Sequence, residues 1–264
     1  MTTRTSLAAA VLFASLATAE PALAQFPRVA PKTKDYTVDF SYDSWKPTPG
    51  LVMSTGGSAD ADLAGAFGLE RGSLKQYSLT IRPARAHKIR LQYTPMVFDK
   101  DATLTQAVTL GGTTYEVNLP ATLTFDWIMS RAGYEWDFIS GEGGYLGAVV
   151  EVKYNQIRAH VASPDIGSAR VRTTAPIPAV GVAGGGYLVP RRVSMSFEVT
   201  GMKLPELDDL QGRFVDWDIR LIGHLGRNLG VQAGYRSIDA RYIVDQDSGT
   251  LTMKGPYLGA FLRF

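Results

Sequence analysis

The chain of 264 residues has no cysteine and only three histidines. Without thiols it forms no disulfide, no thiolate metal site and no lipid linkage through cysteine. His87, His160 and His224 are dispersed and make no metal constellation. No metal or cofactor is expected. A one-sided charge is also missing. The formal net charge of +2 argues against a dedicated nucleic-acid binder. Beyond the first two dozen residues charges interrupt every apolar stretch, so no helical membrane span is expected. Phosphate loops and dinucleotide fingerprints are lacking, and Gly184-Gly185-Gly186 falls within a strand pattern.

What is present points to β-structure. There are 27 glycines and 12 tyrosines, a composition that favours strands with tight turns. Residues 1–24 read as a secretory signal peptide. Arg4 supplies the positive start and Leu7 to Ala17 the apolar stretch. Ala22-Leu23-Ala24 forms the cleavage site, preferred over one after Ala19. Residues 25–35, with Pro27 and Pro31, read as a flexible periplasmic leader. Residues 36–264 then alternate with a period of two.

Ten strands are expected in that region. The first begins with Tyr36, Val38, Phe40 and Tyr42 on one face and resumes near Leu51. The second carries Tyr77, Leu79 and Ile81, the third Ile89, Leu91 and Tyr93. In the fourth, Leu123, Phe125, Trp127 and Met129 are odd, while Tyr134, Trp136 and Phe138 are even. A β-bulge near Ser130–Gly133 would bring both sets to one outward face. Further strands centre on Val150, Gly184, Phe197, Trp217 and Val231, and the last ends the chain. Connections alternate between short ones and long ones, the long ones expected near Gly56–Ser73, Asp99–Tyr115, Ser163–Thr174, Gly201–Gln211 and Asp245–Gly249. Gly111-Gly112 reads as a hairpin tip prolonging the third and fourth strands, and Asp62–Leu69 as a short helix in the first long loop.

The terminal segment Tyr257-Leu258-Gly259-Ala260-Phe261-Leu262-Arg263-Phe264 alternates and stops on an aromatic residue. With Tyr257, Gly259, Leu262 and Phe264 it resembles the signal strand of bacterial outer-membrane β-barrels. That resemblance implies recognition by the barrel-assembly machinery, Sec-type export and residence in the cell outer membrane among its lipid and lipopolysaccharide. The expected fold is all-β, a transmembrane antiparallel up-and-down barrel of about ten strands, with eight or twelve as alternatives. The rival is a soluble sandwich or a lipocalin-like barrel, which periodicity alone does not separate. Trp127 and Trp136, nine residues apart, would stand roughly 23 Å apart along the membrane normal, close to the ~25 Å band between aromatic girdles. Trp217 and Tyr235 are further girdle candidates, as are Trp45 and Tyr154.

On that reading the alternate faces line the lumen. They hold Asp39, Asp43, Asp126, Glu135, Asp137, Glu151, Glu198, Asp216 and Asp218 against Arg82, Lys88, Arg90, Arg131, Lys153, Arg220, Arg236 and Arg263. Near balance predicts a salt-bridged plug more than an ion-selective pore. The core of that network is expected at Asp126, Glu151, Lys153, Glu198, Asp216, Asp218, Arg220 and Arg236. Outer-membrane lipid A deacylases pair a His and a Ser that His160-Val161-Ala162-Ser163 does not space correctly. Omptin-type proteases use a His-Asp pair and an Asp pair at the outer rim. Asp208-Asp209 and Asp245/Asp247 fall in outer loops here, but no Asp lies two residues from His160. The expected role is non-enzymatic, structural or surface-interacting. A small porin is the alternative, and a hydrolase at the outer rim a more remote one.

Overall fold

A computed structural model describes residues 36–54, 61–110, 112–207, 210–244 and 247–264. The signal peptide and leader assigned to residues 1–35 lie outside the described residues. The first barrel strand is broken at Lys46-Pro47 into β1 (Val38–Trp45) and β2 (Thr48–Ser54). The others are β4 (Leu74–Ala84), β5 (His87–Thr103), β8 (Pro120–Ser140), β9 (Gly144–Ser163), β10 (Gly167–Val189), β11 (Val193–Leu207), β12 (Leu210–His224), β13 (Leu229–Val244) and β14 (Asp247–Arg263). Each pairs antiparallel with the next, and β14 returns to both β1 and β2, closing a ten-stranded barrel. Additional to those ten strands are β3 (Ala61–Asp62) with one helical turn, α1 (Leu63–Ala66), and the hairpin β6 (Val108–Leu110) and β7 (Thr113–Tyr115).

The outward faces are apolar where a membrane would be. Ile89, Leu91 and Tyr93 on β5, Val150, Val152 and Tyr154 on β9, and Val231 and Tyr235 on β13 are all exposed. Their sequence neighbours Lys88, Glu151, Lys153, Gln232 and Arg236 are buried inside. A charged interior and an apolar exterior reverse the order of a water-soluble barrel, so this one spans a membrane. On β8 the band runs from Ile128 to Phe138, ten residues, or roughly 25 Å along the normal.

Above the band the polarity inverts without any change of phase. The residue pointing inward turns from polar to apolar within one step on strand after strand. Asp43 gives way to Trp45, Gln76 to Leu74, Thr94 to Met96, Arg131 to Met129, Asp216 to Phe214 and Arg236 to Ile238. The expected bulge at Ser130–Gly133 is therefore absent. β5 and β8 stay in register from His87–Trp136 to Thr103–Pro120, and the β8–β9 ladder shifts only between Asp137 and Ile139. Leu123, Phe125, Trp127 and Met129 need no correction of phase, because they point inward into a dry core while Thr122, Thr124 and Asp126 face water.

Several segments expected as long loops are strand instead. β8, β9 and β10 each run 20 residues or more. β10 leaves β11 above Val180–Gly201, so residues 167–179 pair only with β9. Pro176 and Pro178 sit on this stretch. Sharing one parity, they lack N–H groups on the side that β9 does not use. The β6–β7 hairpin forms where expected, with Gly112 at φ 78°, but it does not prolong β5 and β8. It folds over the mouth, burying Val108, Leu110 and Tyr115, and the Tyr115 hydroxyl donates to the Val161 carbonyl at 3.1 Å. The short helix of the first outer loop is present. Asp62 caps it, accepting from Gly65 N at 2.9 Å, and Leu63, Ala66 and Phe67 are buried beneath it.

The seam between β1 and β14 explains the terminal pattern. Leu262 and Phe264 face outward, Tyr257 and Gly259 inward. Phe264 N donates to Val38 O at 2.8 Å and Val38 N to Phe264 O at 2.9 Å. A Cβ at Gly259 would stand 1.9 Å from Asp43 Oδ1 and 2.4 Å from Tyr42 O. Gly259→Val should therefore keep the last strand from closing on the first. Deleting Phe264 should weaken the same seam. The fraction of heat-modifiable, folded protein on cold gels is expected to fall severalfold for both. Wild-type levels would show that closure does not depend on this contact.

Candidate functional site

Most of the charged tier of the lumen is one connected network, and two separate ion pairs stand beside it. Lys88 on β5 bonds Glu135 at 2.6 Å and Asp137 at 3.1 Å, and Arg82 also reaches Asp137. Arg90 links Glu135, at 2.8 Å, to Glu198 across the barrel. Arg131 joins Glu198 to Glu151, and Lys153 joins Glu151 to Asp216. Arg236 grips Asp216 with two nitrogens, at 3.0 and 2.7 Å, and extends to Gln76. Gln76 and Gln232 both donate to Asp43. Arg220 pairs with Asp218 at 2.9 Å, where the Tyr257 hydroxyl also donates. Nearer the seam, Arg263 pairs with Asp39.

Seven of the eight residues expected there face the lumen and are ion-paired: Glu151, Lys153, Glu198, Asp216 and Arg236 in the connected network, and Asp218 with Arg220 beside it. Asp126 does not face the lumen. It lies on the outward face of β8, opposite Arg158 of β9, because the strand keeps its phase through the inversion. Its removal leaves eight acids against eight bases in this tier. Between them remains a cavity of about 10 Å³ lined by Gln92, Arg131, Glu198, Asp216, Asp218, Arg220 and Arg236. That is room for about one water molecule.

The apolar tier lies directly above. Trp45, Leu51, Leu63, Phe67, Met96, Leu104, Leu123, Phe125, Trp127, Phe214 and Ile238 are 0–2% exposed. Cation–ring contacts join the two tiers, with Lys153 Nζ 4.7 Å from the Phe214 ring centre and the Arg236 guanidinium 5.5 Å from that of Trp45.

Of the expected girdle, Trp136, Trp217 and Tyr235 face outward at 50, 38 and 40% exposure. Trp217 and Tyr235 stack at 5.6 Å, and Tyr42, Tyr77, Tyr93 and Tyr154 complete the upper ring. Trp127 is a correction. It is 1% exposed inside the barrel, and its Nε1 donates to Asn155 Oδ1 at 2.9 Å. Trp45 is inside as well, donating to the Gly255 carbonyl at 3.1 Å. The signal that could have placed Trp127 inside is the change of parity between Met129 and Tyr134, because an unbroken strand puts one of the two apolar rows inside.

Among the described residues no three His, Asp or Glu side chains form a metal-binding group. His160 faces outward, opposite Thr124 and Arg170. Asp208, Asp209 and Asp245 lie outside the described residues. Ser194 Oγ meets His224 Nε2 at 3.0 Å near the β12–β13 turn, at the opposite end of the barrel from the cap.

Compared with solved structures, the chain superposes on the outer membrane protease OmpT from Escherichia coli with a TM-score of 0.59. The identity is 7%, over 88% of this chain and 99% of that one. The fold is that of a bacterial outer-membrane β-barrel. The Pseudomonas putida toluene transporter TodX (TM-score 0.38, 7% identity, 86% of this chain and 90% of that one) and Ail, the attachment invasion locus protein of Yersinia pestis (0.33, 11%, 87% and 99%), are also similar. No family model matches the chain, and no curated protein matches it in sequence. The OmpT likeness overturns the expectation that this barrel has no enzymatic role. A protease is built on this fold, so a closed ten-stranded barrel with no sequence motif for catalysis is no ground for excluding an enzyme.

Trp127 and Trp136 give opposite expectations on one strand. Trp127→Ala should leave a cavity and an unpaired Asn155 Oδ1, costing about 3–5 kcal/mol. Trp136→Ala, which opens only to lipid, should cost far less. Urea unfolding of the micelle-folded barrel measures both, and equal losses would contradict the placement of Trp127 inside.

Proposed function

We propose that this protein is a closed outer-membrane barrel that acts at the cell surface through its water-exposed upper tier, as a structural or surface-interaction element, and not through a conducting lumen. The observation that carries this reading is the filled interior. A balanced ion-pair network leaves a cavity of about 10 Å³, and an apolar core lies across the path above it. Sec-type export, with removal of residues 1–24, belongs to the same reading.

Single-channel recording in planar bilayers tests it. The wild-type barrel should be silent. Arg220→Ala with Arg236→Ala leaves eight acids facing six bases, costs a few kcal/mol of stability and should open a cation-selective leak. Steady wild-type conductance that the double variant barely changes would favour the small-porin alternative. Orientation is tested by cysteine labelling on intact cells. A cysteine at Asp165, in the β9–β10 turn, should react, and one at Arg227, in the β12–β13 turn, should not.

The likeness in fold to OmpT favours a second reading, hydrolysis at the outer rim. Peptide cleavage by the reconstituted protein, lost with Asp208→Asn and Asp209→Asn but unaffected by the lumen variants, would support it.

A further inference from the structure

The lumen cations are all partnered, but a set outside the barrel has no ion-pair partner among the described residues. Lys203 on β11, Arg213 on β12 and Arg241 on β13 stand directly opposite one another on three adjacent strands. All three are exposed on the outward face. Neighbouring strands are about 4.8 Å apart, so the row spans roughly 10 Å. Like charges directly opposite on a sheet repel. No described carboxylate comes within the 4.0 Å of an ion pair with any of them. The nearest outward acid on these strands is Asp239, two residues along β13 and opposite Val215.

A second set repeats the pattern independently. Arg158 on β9 is directly opposite Arg172 on β10, and His160 is directly opposite Arg170. Here the neighbouring acid is Asp126, opposite Arg158, and it too forms no ion pair with a described residue. Both sets lie at one height. Arg213 is four residues above Trp217 on β12, and Arg158 four residues above Tyr154 on β9. That is about 10 Å along the normal beyond the aromatic ring. Aromatic girdles sit at headgroup level. The two rows therefore flank the outer-leaflet headgroups, where the fixed negative groups are phosphates.

We propose that Lys203, Arg213 and Arg241 form a binding row for the phosphate groups of a phosphorylated outer-leaflet glycolipid, with Arg158 and Arg172 as a second grip on the same belt. Guanidinium forks match phosphate oxygens in pairs, and the bound anion removes the repulsion that the empty row carries. The inference rests on the membrane-spanning reading of the barrel, not on whether the lumen conducts.

The test uses the folded barrel in mixed micelles and native mass spectrometry, with lipid A, dephosphorylated lipid A and inorganic pyrophosphate as probes. The wild type should retain lipid A, and the triple variant Lys203→Gln, Arg213→Gln, Arg241→Gln should bind it at least tenfold more weakly. Adding Arg158→Gln and Arg172→Gln should abolish retention. A control with Arg85→Gln and Arg192→Gln, two exposed bases at the opposite rim, should bind as the wild type does. Equal binding by wild type and triple variant, or equal retention of dephosphorylated lipid A, would overturn the proposal. Pyrophosphate bound as tightly as lipid A would overturn the assignment to a lipid and leave a site for a soluble phosphate. Heat-modifiability confirms that each variant is folded. Conductance of the same samples reads the lumen separately, so the closed-barrel reading and this one fail independently.

Discussion

Everything in this barrel follows from the lack of solvent around its middle. Lipid outside the wall offers no hydrogen bonds, and a ten-stranded cylinder is too narrow to hold much water inside. Charges on the inward face must therefore solvate one another. They do so as a chain that crosses the lumen, from Arg82 through Asp137, Lys88, Glu135, Arg90, Glu198, Arg131, Glu151 and Lys153 to Asp216 and Arg236. Strands far apart in sequence, such as β5 and β11, are tied together by groups that each bridge two neighbours, as Arg90 and Glu198 do. Removing one member strands a charge in a low-dielectric interior, which costs more than any surface pair contributes.

Above the band the constraint reverses. The wall now meets water on its outside, and the cheapest interior is apolar. The strands respond by exchanging residue types and not by slipping register. The apolar tier needs material to fill the mouth, and the first and second outer connections provide it: α1 and the β6–β7 hairpin turn inward and bury Leu63, Phe67, Val108 and Tyr115. The extended β5–β8–β9–β10 wall is stable above the membrane because that core lies behind it. Its edge at β10 is guarded by Pro176 and Pro178, which withhold donors from any added strand.

Most of the wall was legible in the sequence, because alternation reports faces whatever the solvent. Ten strands, the broken first strand, the closing strand and seven of the eight core lumen residues follow from period two alone. What alternation does not report is which face is wet. A bulge at Ser130–Gly133 was needed only if every apolar residue of β8 had to meet lipid. The same assumption sent Trp127 to the girdle and Asp126 to the lumen. The long outer connections were misjudged for a related reason. The stretch Ser163–Thr174 is polar on the face that meets water, so it reads as a loop, although residues 167–174 form the upper part of β10. Catalysis was not legible in either direction. The carboxylates that would matter at the rim are sequence-local, whereas a site is made by neighbours in space.

The two populations of cations show how position decides the use of one residue type. Arg236 and Arg213 are separated by one strand and about one tier. Arg236 is buried in the lumen, and its guanidinium is committed to Asp216 and Gln76. Arg213 stands outside, above the aromatic ring, with cations on both sides and no described acid in reach. A sequence that balanced eight inward bases with eight acids had the means to balance the outward row too. That row stands without a described acid partner at the height where a membrane supplies its own anions, which is what the proposed phosphate row requires. The barrel is then finished twice: inside by its own carboxylates, and outside by the surface in which it sits.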